Sequence, residues 1–69
     1  MVVRINADQG IAAEFFNQSL EAAGYSVDLS EANEEGWLIE FSRDGAKGTI
    51  DLTTPLLGIS QAIIRFNVP

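Results

Sequence analysis

The spacing of apolar residues along this chain changes from about two to about 3.6 and back to two. Val2, Val3 and Ile5 form a short, largely β-branched run that predicts a first strand. From about residue 6 to residue 23 the spacing is helical. On a wheel of about 100° per residue, Ile11, Ala12, Phe15, Phe16, Ser19, Leu20, Ala22 and Ala23 fall in one half, and Glu14, Asn17, Gln18 and Glu21 fill the opposite arc. Asn6 followed by Gln9 resembles a capping box, Asp8 is a competing N-cap, and Gly24 supplies the stop.

Period two then returns. Tyr25, Val27 and Leu29 alternate with Ser26, Asp28 and Ser30, and Trp37, Ile39 and Phe41 alternate with Leu38, Glu40 and Ser42. Residues 31–36 are expected to form an acidic loop, and residues 43–48 a turn whose Asp44-Gly45 step signals a hairpin. Ile50 and Leu52 mark a strand over residues 49–53. Pro55 has no N–H for a ladder bond, which predicts a connection or bulged corner at 54–58 before a last strand over 59–68.

The order β-α-β-β-β-β defines an α+β fold in a single domain, residues 1–69. An antiparallel or mixed sheet of four or five strands with one helix packed on one face accommodates it. The first strand and the strand after the helix are either parallel neighbours through a crossover or separated in the sheet. One helix leaves the other face open. With Val3 and Ile5 turned to the helix, the alternation puts Arg4, Asp28, Glu40, Asp51 and Arg65 on the open face, where opposite charges on neighbouring strands contribute ~0.2–1 kcal/mol per pair. Leu38 and Ile63 share that face. An apolar pair in a charged field is the feature most like an interface, so Leu38, Ile63 and Arg65 are the candidate contacts of a homodimer. Residues 59–68 carry a single charge, which as an edge strand would be poorly defended against pairing with another chain.

Composition narrows the chemistry. The 69 residues include no Cys and no His, so disulfides, thiolate or imidazole metal ligands and the commonest general base are all missing. Lys47, the only lysine, falls in a predicted surface turn. Glu31, Glu34, Glu35 and Asp44 do not have the spacing of a calcium loop. The chain is therefore expected not to be an enzyme and to use no cofactor or metal. Trp37 is in phase with Ile39 and Phe41 and is expected in the core.

Ten acids against four bases give a net charge of −6. That opposes direct binding to nucleic acid or to anionic membranes, which need cationic side chains, and favours a basic protein partner. No apolar run approaches the ~20 residues that cross a bilayer. The start has neither the basic lead nor the apolar stretch of a secretory signal, so a cytoplasmic location is expected. The resulting expectation is a non-enzymatic, acidic protein-binding module, an inhibitor or adaptor, of which a phage-type inhibitor of a nucleic-acid enzyme is one form. Its contacts would be Glu14 and Glu21 on the helix and Glu31, Glu34 and Glu35 after it. The alternative is a homo-oligomeric structural or small-ligand-sensing domain that pairs through its C-terminal strand.

Overall fold

The computed structural model describes residues 1–34, 36–56 and 58–67. Its elements are β1 (Val2–Ile5), α1 (Gln9–Ala22), β2 (Ser26–Asn33), β3 (Gly36–Arg43), β4 (Ala46–Leu56) and β5 (Ile59–Asn67). They build a five-stranded sheet in the order β1-β5-β4-β3-β2, with every neighbouring pair antiparallel. β2 to β5 form a meander, and β1 closes against β5 at the far edge. β1 and β2 are thus separated, at opposite edges. β5 is not an edge strand: along its first half it is paired on both sides, by β4 and by β1.

Alanines at the contact let the helix approach the sheet closely. Ala12 and Ala13 are buried against Ile39, Phe41, Ile50, Leu52 and Ala62. Phe16, Leu20, Val3, Ile5 and Ile64 extend this core. At one end Phe41, Gly48 and Phe66 are opposite one another across three strands. Gly48 has no side chain, so the ring of Phe41 lies over it, and Tyr25 meets both phenylalanine rings edge-on at 5.5 and 6.1 Å. The helix starts after Asp8, which is the N-cap residue but makes no side-chain capping bond, so the expected capping box is absent. At that end Ser60, fully buried, donates to the carbonyl of Ala7 and pins the β1–α1 connection.

Four local expectations are corrected. First, the buried stripe of α1 is narrower than half a wheel and is rotated. Asn17 turns toward the sheet, while Ile11 and Phe15 remain 63% and 58% exposed. A helix on a sheet buries a stripe little wider than about 100°, and polar contacts at its margin decide which residues enter it. Second, a bulge in β2 between Val27 and Leu29 reverses the alternation: Leu29 is opposite Glu40 and Ser30 is opposite Ile39. Leu29 therefore joins the open face and Ser30 the helix side. Third, residues 31–33 are not loop. β2 continues to Asn33, which is paired with Gly36, and the Oδ1 of Asn33 accepts from the Gly36 N–H at 2.8 Å. Fourth, the strand expected over 49–53 is longer: β4 runs through Pro55, beyond the reach of β3, and of the connection or bulged corner expected at 54–58 it is the bulge that is present, a register shift between Thr53 and Leu56 that relieves the missing N–H. Val68, the end of the expected last strand, lies outside the described residues.

Candidate functional site

The hydrogen bond from Asn17 Nδ2 to Ser30 Oγ, 3.1 Å long, sets how the helix sits on the sheet. It turns the Asn17 flank of α1 toward β2. Glu14 and Glu21 lie three residues before and four after Asn17, on the same flank, and both are exposed. β2 adds exposed acids of its own. Asp28 sits in the bulge, Glu31 is opposite Leu38 on the open-face side, and Glu34 follows the end of the strand. Glu14 and Glu21 thus lie on the β2 flank of the helix, Glu31 on the open-face side of β2 and Glu34 beyond its end, while Asp28 borders an open-face hollow. Glu35 lies outside the described residues.

Among the described residues only two ion pairs form, Arg65–Asp51 at 3.0 Å and Arg43–Asp44 at 3.6 Å. None of the acids on the β2 side takes part. Arg43 bounds this side at the C-terminal end of α1, where its Nη1 donates to the Ala23 carbonyl at 2.9 Å and its guanidinium lies 5.6 Å from the Tyr25 ring centre. Arg4 and Arg65 lie on β1 and β5, at the other end of the strand order from β2.

The open face carries the second group of candidates. Leu38 on β3 and Ile63 on β5 flank Asp51 on β4 in one row, both partly buried, with Val2 beyond Ile63 on β1. Arg65 is in the next row, with Thr49 and Glu40, and its Nη1 donates to Asp51 Oδ2. A shallow depression of about 250 Å³ lies here, bordered by Gly36, Asp51, Thr53, Ile63 and Arg65. A second hollow, of about 420 Å³, is lined by Asp28, Glu40, Lys47 and Thr49. Trp37 is partly buried with the core, and its Nε1 donates to Ser30.

The sequence reading missed two features. Asp28, expected on the open face, borders a hollow there with Glu40, Lys47 and Thr49, and what the bulge adds to that face is Leu29. Ile11 and Phe15 were assigned to the core. They are the exposed apolar flank of α1 opposite Asn17, on the side away from β2. No helix among the described residues is long and apolar enough to cross a membrane. The chain matches no family model, no curated protein and no solved structure.

Proposed function

We propose that this domain is a non-enzymatic protein-binding module, an inhibitor or adaptor, that engages a basic surface of another protein through the side formed by α1 and β2. The observation that carries this reading is that Glu14 and Glu21 on the β2 flank of α1, and Asp28, Glu31 and Glu34 along and just beyond β2, are all exposed and, among the described residues, in no ion pair. Charges left in water at one side of a molecule steer an oppositely charged partner and raise its association rate. The edge of β2 does not favour binding by strand addition, because a bulge and two acids interrupt it. The partner is therefore expected to contact side chains rather than extend the sheet. Imitation of nucleic-acid phosphates, as in an inhibitor of a nucleic-acid enzyme, is one form of this contact.

The reading is tested by capture from cell lysate at low salt, with three baits. The original chain and the Arg4→Glu/Lys47→Glu variant should retain the same basic proteins. The Glu14→Lys/Glu21→Lys/Glu34→Lys variant should lose them, and soluble heparin should compete. An identical captured set on all three baits would rule out the acidic side as the contact.

A further inference from the structure

We propose that the open face of the sheet binds a second copy of this chain, related by a two-fold axis that runs along β4. The strand register orders the open-face side chains into rows. One row reads Glu31, Leu38, Asp51, Ile63, Val2 from β2 to β1, and the next reads Leu29, Glu40, Thr49, Arg65. β4 is the middle strand, so an axis along it reverses each row onto its own image. β3 then lies over β5 of the second copy, and β2 over β1.

Over β3 and β5 this operation matches unlike charges and like apolar groups, and at the rim it sets Glu31 over Val2. Leu38 falls over Ile63 of the second copy, and Glu40 falls over Arg65 of the second copy; by symmetry each match occurs twice. Arg4 comes over the end of the hairpin at Asn33, next to Glu34. The other two-fold arrangement, with the axis across the strands, stacks β5 on β5 and β3 on β3. With the axis through their row it sets Arg65 against Arg65 and Glu40 against Glu40, where like charges oppose association, and in no position does it bring Glu40 over Arg65. The complementarity therefore selects both the occupant and its orientation.

The dimensions agree. Packed sheets stand ~10 Å apart with their strands within ~30° of alignment. β3 and β5 each lie ~4.8 Å from β4, so that angle displaces facing residues by only ~2–3 Å, within the reach of Glu and Arg side chains. The 36 × 20 Å extent of the molecule is of the order of the ~800 Å² that each partner contributes to a standard interface. Asp51 meets its own image on the axis, but each Asp51 already accepts from Arg65 of its own chain at 3.0 Å, so the pair is flanked by two guanidinium groups. Glu14 and Glu21, on the helix, stay outside the contact, whereas Asp28, Glu31 and Glu34 border it; exchanging charges at positions 40 and 65 leaves all five acids in place, so the dimer is tested separately from the basic-partner reading.

A charge-exchange experiment tests this arrangement. In sedimentation over a concentration series, the original chain should reach twice its 7.5 kDa mass. Glu40→Arg alone sets two arginines against each other, and Arg65→Glu alone sets two glutamates against each other. Each variant should weaken self-association by at least about tenfold. Mixed in equal amounts, they should recover the double mass, because each position 40 then meets an opposite charge at position 65. Ile63→Asp should also dissociate the dimer while circular dichroism stays unchanged. Should that variant unfold, the mixing experiment still decides, since it changes only exposed charges. A mass of 7.5 kDa for the original chain at its highest soluble concentration overturns the proposal. So do single variants that associate like the original chain, or a mixture that stays monomeric.

Discussion

The indole of Trp37 donates a 2.8 Å hydrogen bond to the hydroxyl of Ser30, on the neighbouring strand and on the helix side of the sheet. The same oxygen accepts from Asn17 Nδ2, so one hydroxyl joins β2, β3 and α1. Asn17 Oδ1 is buried and makes no hydrogen bond, which leaves Ser30 as the group that offsets the burial of this amide. Ser30→Ala leaves two donors without an acceptor in a partly buried place. The expected loss is ~1–3 kcal/mol in urea unfolding, with the denaturant slope unchanged. Trp37 emission should shift in the folded state. A loss below ~0.5 kcal/mol would show that water replaces the hydroxyl at little cost.

Gly48 and Phe41 form a second interlocked pair. A Cβ at Gly48 would fall on the ring of Phe41 and within 3.0 Å of the Arg65 carbonyl. Gly48→Ala must push that ring away and disturb its contacts with Tyr25 and Phe66, a cost of ~1–3 kcal/mol. In a Phe41→Leu background the same change should cost distinctly less, because the displaced ring is gone. Equal costs in the two backgrounds would mean that the backbone of β5, not the ring, sets the penalty.

The adjacent phenylalanines of α1 should behave oppositely. Phe15 is 58% exposed, whereas Phe16 packs against the core. Phe15→Ser is expected to change stability by no more than ~0.5 kcal/mol. Phe16→Ala is expected to cost at least ~2 kcal/mol, somewhat below a fully buried position. Chemical denaturation of the two variants checks this. A large loss from Phe15→Ser would restore the broader buried face that the helical spacing alone suggests.

What was legible in the sequence follows from how local each signal is. The Asp44-Gly45 hairpin was legible because its turn needs positive φ at both residues, 51° and 84°, and this dipeptide supplies it. Leu38, Ile63 and Arg65 were placed correctly on the open face because β3, β4 and β5 keep an unbroken period of two beside them. The side chains of β2 after the bulge, Leu29 and Ser30 among them, were not, since a one-residue bulge leaves no mark in composition yet turns over every later position. The pairing of β1 with β5 joins residues some sixty positions apart, Val2 with Ile63 among them, and no local pattern encodes it. On α1, eight small or apolar residues spread over half the wheel, so spacing could not say which edge of that half faces the sheet. Asn17 and Ser30 decide it, through a contact between elements. The acidic side was half visible for that reason: its residues were evident, but the flank on which Glu14 and Glu21 lie depends on the rotation of the helix.

Two glycines separate conformational need from tolerance. Gly36 has φ 154°, and a Cβ there would run into the backbone carbonyl of Leu52 on β4. That carbonyl belongs to the central strand and cannot rotate aside as a side chain would. Gly36→Ala should therefore cost ~2–4 kcal/mol, by strain and by loosening the pairing of Asn33 with Gly36. Gly10 lies in the first turn of α1 with open space around its Cα. Gly10→Ala restricts the unfolded chain and suits the helix, so it should raise stability by ~0.5–1 kcal/mol. Thermal unfolding of both variants gives the comparison. Tolerance of alanine at position 36 would mean that the start of β3 does not sit against Leu52, and with it would go the register that aligns Trp37 with Leu52.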